Sequence, residues 1–186
     1  LGLGWLLLPH TSLEPVFERK VSAQALDHFE DRTLRVDVPP TASALQRVWI
    51  ADPDISHVDL FVLKDPHKAL APPLVLLRNR QDTVGERGET GLEARRERPS
   101  RDSPTVWRLR FSLPSNFPGP RRWIWLDISS EDPDRALVLP REIASDKYPG
   151  GVLKLVTKTA GSRLLPGVID FVLLRTAVRL PALSAR

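Results

Sequence analysis

The stretch "VWIADPDISHVDLFVLKD" (48–65) gathers Asp52, Asp54, His57 and Asp59 between two apolar runs. Carboxylates and an imidazole this close together are the residue types of a cation site or of acid–base chemistry. A calcium loop asks for clustered oxygen ligands and a glycine at its sharp turn. No glycine lies between Asp52 and Asp59, and Pro53 stiffens the segment. A zinc site asks for paired histidines. His57 and His67 stand ten residues apart, at opposite ends of one expected strand. A turn accounts for the same residues with fewer demands. Proline presets φ, aspartate accepts from backbone N–H groups, and Val58, Leu60 and Val62 then form one face of the next strand. "EDPDRA" (131–136) repeats the Asp-Pro-Asp device before another apolar run. No metal is expected.

Other chemistry finds little footing. The four histidines (His10, His28, His57, His67) all precede residue 68, and no G-x-S-x-G elbow, H-E-x-x-H pair or glycine-rich phosphate loop occurs. The absence of cysteine excludes disulfides, thiolate metal sites and cysteine nucleophiles. No catalytic residue and no cofactor is assigned, and the chain reads as a non-enzyme. The most suggestive binding feature is aromatic. In "RRWIWLDIS" (121–129), Trp123 and Trp125 fall on one face of a strand and Ile124, Leu126 and Ile128 on the other. Two indoles on an exposed sheet face offer a stacking platform for a sugar or another small ligand. The competing reading packs that face under a second layer. Trp49 and Trp107 are expected in the core.

These residues need a frame, and the pattern for it is β. "TVWRLRFSLP" alternates Trp107, Leu109, Phe111 and Leu113 against Arg108, Arg110 and Ser112, which predicts a strand with one buried and one wet face. "RTLRVDVPP", "RVWIA", "HVDLFVLKD", "PLVLLRN" and "RALVLP" are further short strands, joined by connections rich in Pro, Asp, Ser and Asn. Eighteen prolines against ten glycines favour strands and loops over a helical bundle. The expected fold is all-β, an antiparallel sandwich or jelly roll over residues 32–160. Residues 80–104 hold six arginines and six acids with almost nothing apolar, and are expected to form a long mobile charged loop. Residues 14–31 fit a short helix or an irregular lead-in.

The ends differ from the body. "LGLGWLLLPH" opens a segment, 1–31, that is apolar and anchor-like at its start, or else an ordinary first strand. The chain has no methionine and begins with leucine, which reads as a processed chain or part of a longer one. Net charge is +4, but the excess sits in residues 143–186, with seven Lys/Arg against two acids. The body is neutral, so no nucleic-acid partner is expected. Residues 161–186 read as a basic amphipathic C-terminal extension, either a helix on a membrane or partner, or a last strand. With Asp170, Arg175 and Arg179 it is no clean membrane span.

"TLRVDVPPTASALQRVWIADPDISHVDLFVLKD", followed at a distance by "WRLRFSLPSNFPGPRRWIWLDISSEDPDRALVLP", resembles the extracellular sensor domain of bacterial seven-transmembrane receptors with diverse intracellular signalling modules. The resemblance covers about Thr33–Pro140 and lies in the order of strands and turns. It implies a jelly roll like those that bind carbohydrate, on the periplasmic or extracellular face of a membrane, passing a signal inward. It carries no ligand-binding residue onto this chain.

The expectation is a non-catalytic sensing or ligand-binding domain of a membrane-anchored signalling receptor. Trp123 and Trp125 would meet a small-molecule or glycan ligand, and the termini would meet the membrane. Two other readings stand beside it. One is a membrane-anchored accessory subunit that packs against protein partners. The other is a glycan-active enzyme or its carbohydrate-binding module.

Overall fold

A computed structural model describes residues 10–19, 32–65, 67–79, 91–101, 105–115, 122–143, 151–157, 159 and 161–179. They form antiparallel β-strands and one short 3-10 turn, Arg32–Leu34. The first sheet runs β1 (His10–Arg19), β15 (Phe171–Arg179), β4 (Ile55–Leu63), β9 (Val106–Ser112) and β7 (Arg95–Arg96), with β8 (Ser100–Arg101) also on β9. The second runs β13 (Gly161–Leu165), β12 (Leu153–Thr157), β3 (Ala42–Ile50), β10 (Arg122–Ser130), β5 (Pro73–Arg78) and β6 (Leu92–Glu93). A third, smaller sheet joins β14 (Val168–Ile169), β11 (Leu137–Glu142) and β2 (Arg35–Val38). The pairs β1–β15, β2–β11, β3–β10 and β4–β9 are nested within one another, and the strands β1 to β4 each move to a different sheet from the one before. That is the wrapping of a jelly-roll sandwich.

Alternation places the core. Val58 and Leu60 of β4, Leu109 and Phe111 of β9, and Phe171 and Leu173 of β15 point inward from the first sheet. They meet Ala44, Val48 and Ile50 of β3 and Ile124, Leu126 and Ile128 of β10 in one continuous cluster. Each such side chain stabilises the fold by about 1.5–3 kcal/mol when fully buried. The run Leu60–Leu63 departs from simple alternation. Phe61 and Leu63 join Val106, Val172 and Leu174 in a second buried cluster on the opposite face of the first sheet, so this end of β4 is apolar on both sides. Gln46, fully buried among the apolar residues of β3, ties the small sheet to the second one. Its Oε1 accepts the Ile169 N–H at 3.1 Å and its Nε2 donates to the Arg47 carbonyl at 3.0 Å.

Backbone geometry makes one glycine obligatory. Gly167 lies in the turn between β13 and β14 at φ +90°, and an added Cβ would sit 2.2 Å from the Glu142 carbonyl oxygen. Only a residue without a side chain lets this turn pass so close to β11.

Several expectations change. Of the two readings left open for the C-terminal extension, the described residues take the strand: Gly161–Leu165, Val168–Ile169 and Phe171–Arg179 are strands. Phe171, Val172, Leu173 and Leu174 are all buried, and β15 hydrogen-bonds to β1 on one side and β4 on the other. Such a residue run, apolar on both faces and paired at both edges, gains more as an inner strand than as a helix with one apolar stripe. The lead-in likewise holds an edge strand, β1, where Pro15 sits beside a register shift. The charged segment contributes β6, β7 and β8, and Ala94 is buried between the first two. Residues 1–9, 20–31, 80–90, 102–104 and 180–186, on which the anchor, part of the lead-in, much of the charged loop and the chain's last residues fall, lie outside the described residues. No helix among the described residues is long and apolar enough to cross a membrane.

Candidate ligand-binding face

The aspartates and histidines of 48–65 are not brought to one point. Asp52 begins a turn: its Oδ1 accepts the Asp54 N–H at 2.8 Å, and its carbonyl accepts the Ile55 N–H at 3.4 Å. Asp132 repeats this with Asp134 at 2.9 Å and Arg135 at 3.4 Å. Asp52 Oδ2 also takes a hydrogen bond from Arg175, whose proton is held more tightly as a result. Asp59 lies mid-strand on the outer face of the first sheet with its side chain fully buried. It faces Arg110, which donates from Nε at 2.8 Å and Nη2 at 2.9 Å, and Arg108, which donates from Nε at 2.6 Å. The Asp59 hydrogen bond is the main reason that the Arg110 pKa is raised.

His57 contacts the Ser56 hydroxyl through Nδ1 at 2.8 Å and Glu97 through Nε2 at 3.0 Å. Ser56 in turn meets Thr176 Oγ1 at 2.7 Å. The line Thr176–Ser56–His57–Glu97 fastens β15, β4 and the segment after β7. It passes through Ser56, the residue left unmatched where the register of β4 shifts against β15. His67 stands beyond the end of β4, its N–H donated to Asp65 Oδ1 at 2.9 Å. Among the described residues, no three His, Asp or Glu side chains gather into a set that could hold a metal ion.

The tryptophans meet on the outer face of the second sheet. Pairing sets Trp123 of β10 opposite Trp49 of β3, and Trp125 between Arg47 of β3 and Arg78 of β5. The Trp49 and Trp123 rings lie 5.3 Å apart, tilted by 56°. The Arg47 guanidinium sits 4.5 Å above the Trp123 ring, a cation–π distance. Trp49 is 37 % exposed, Trp123 is half-buried and Trp125 is only 7 % exposed. Lys154 of β12 extends over the Trp125 ring at 5.6 Å, and Leu45 and Val156 pack around it. Two positions on, Asp127 is buried and accepts from Arg78 Nε at 2.7 Å.

The two candidate residues therefore part company. Trp123 is half-buried, packed against the main core, and Trp125 is a packing residue beneath basic stems that snorkel outward. Trp49 reverses its expectation: it is the most exposed indole of the face, because "RVWIA" sends Val48 and Ile50 inward and Trp49 out. Arg47 and Trp49 were hidden from sequence reasoning because their role depends on the register of β3 against β10. The alternation of "RVWIA" alone could have flagged Trp49. Trp107 keeps to the main core, partly buried against it.

An exposed indole tilted against a second one, with a guanidinium beside them, can stack on an apolar ring face and donate hydrogen bonds at its rim. No family model matches the chain, and no curated protein or solved structure matches it significantly.

Proposed function

We propose that this protein is a non-catalytic sensing or ligand-binding domain, and that it binds through the Trp49–Trp123–Arg47 cluster on the outer face of its second sheet. The observation that carries the reading is the cross-strand contact of an exposed indole, Trp49, with the half-buried Trp123 beneath the Arg47 guanidinium. Indoles gain much from burial, and Trp49 keeps 37 % of its surface exposed beside Trp123 and the Arg47 guanidinium, where the flat face of a ring can be added to the stack. The ligand class is a small molecule with an apolar ring face and polar rim, a sugar above all. The resemblance to receptor sensor domains adds the setting: the periplasmic or extracellular side of a membrane, within a signalling receptor.

The test is direct. The chain is titrated with neutral oligosaccharides (cello-, xylo- and malto-series) while indole fluorescence and amide shifts are followed. Trp49→Ala should weaken binding at least tenfold with the thermal transition nearly unchanged, and Trp123→Ala should weaken it likewise while also lowering stability, since Trp123 packs against the main core. Trp125→Ala should instead destabilise the fold by about 3 kcal/mol, as for other buried Trp truncations. Failure of every saccharide to bind, or binding indifferent to both surface variants, would sink the proposal.

One observation favours an accessory-subunit reading beside it. Leu164 on β13 and Val178 on β15 are 66 % and 63 % exposed, and β13 is an edge strand. The exposed apolar side chain of Leu164 on that edge strand suits contact with another protein.

A further inference from the structure

A second candidate site lies away from the tryptophans, where β4 leaves its sheet. A cavity of about 650 Å³ opens between the segment that joins β4 to β5, the turn before β11, and the start of β2. That is within the usual size of small-molecule sites. Leu70, Ala136 and Val138 contribute apolar wall. The charged lining is unequal: Arg35, Lys64, Lys68 and Arg135 against Asp65 and Asp134. Three of the cations already have carboxylates nearby. Arg35 meets Asp37 at 3.3 Å, Lys68 meets Asp65 at 3.5 Å and Arg135 meets Asp132 at 3.2 Å. Asp65 also accepts the His67 N–H, which with Lys68 keeps its carboxyl ionised to lower pH than usual. Lys64 has no ion-pair partner among the described residues; its ammonium lies 5.9 Å from the Trp107 ring. Its backbone is fixed, since the Lys64 N–H donates to the Thr105 carbonyl at 2.8 Å.

We infer that this cavity is a binding site for a small organic acid, with the carboxylate head at Lys64 and the body against the apolar wall. Lys64, the one lining cation without an ion-pair partner among the described residues, selects an anion, and the volume exceeds what an inorganic ion would use. The site shares no residue with the tryptophan cluster, so it stands or falls independently of that reading.

The intact chain is titrated with hexanoate, benzoate and succinate, with hexanamide as the neutral counterpart and inorganic phosphate as the bare ion. Binding is read by calorimetry and by amide shifts at Lys68 and Ala71. At least one acid should bind and hexanamide should not. Lys64→Gln should weaken the acid about tenfold, the scale of one charge-assisted hydrogen bond. Arg163→Gln, on exposed β13, should leave it unchanged. Equal binding of hexanamide and hexanoate, phosphate binding as tight as the best acid, an unaltered Lys64→Gln affinity, or no binding of any acid would each overturn the inference.

Discussion

Asp59 is the residue whose removal tests the physical account most sharply. Its carboxylate has no exposed surface and takes charge-assisted hydrogen bonds from two arginines. Removing one partner from a fully buried pair costs about 3–5 kcal/mol, because the charge left behind stays dry. In Asp59→Ala the groups left behind are Arg108 and Arg110, whose side chains are 32 % and 30 % exposed. Water reaches both, so the expected cost falls to about 2–3 kcal/mol. For a domain of this size that is a loss of about 4–12 °C in Tm. The assay is urea unfolding followed by tryptophan fluorescence, for wild type, Asp59→Ala, Arg110→Ala and the double variant. The paired Nε and Nη2 contacts should appear as a coupling of about 1–2 kcal/mol between the two sites. A cost below about 0.5 kcal/mol for Asp59→Ala, or strict additivity, would refute the idea that this clamp holds β4 to β9.

Two other outcomes follow from the same structure. Gly167→Ala should destabilise by at least about 2 kcal/mol, since it adds a positive-φ penalty to a backbone clash with Glu142; a melting curve like wild type would show that the turn can move aside. Glu14 has its carboxyl pKa lowered, first by its hydrogen bond to Arg179 and then by Arg175. A depressed folded pKa gives stability that is present above the unfolded value of about 4.3 and lost as pH falls through the folded value. The stability gap between wild type and Glu14→Gln should therefore be seen at neutral pH, shrink as pH drops below that range, and shrink with added salt; a gap that is constant down to pH 2 would count against the ion pair.

The sheet content was legible in the sequence because period-two patterns such as Trp107-Leu109-Phe111 and Ile124-Leu126-Ile128 have one physical solution, a half-buried strand. The Asp-Pro-Asp turns were legible for the same local reason: the stabilising contacts run between residues two and three apart. What stayed hidden was non-local. The clamp on Asp59 comes from a strand far along the chain, and the role of Trp49 follows from which residue of β10 it opposes. Trp125 looked as available as Trp123 because exposure on a sheet face is decided by neighbours, here Lys154 and Leu45, that belong to other strands. The last strand was ambiguous because its apolar run is compatible with either helix or inner strand, and only pairing partners at both edges decide between them.

The nesting of the strand pairs governs when the molecule can become complete. In the first sheet β15 lies between β1 and β4, so His10 stands opposite Arg179 and two strands made early await one made late. Until Phe171–Arg179 arrives, β1 has no ladder and one edge of β4 is bare. Pairings this distant in sequence close large loops before they return any contact energy, which slows folding and leaves bare strand edges open to the wrong partner meanwhile. The growing chain therefore carries an incomplete first sheet from β1 until Phe171–Arg179 is made, and that strand acts as the closing stave of the sheet.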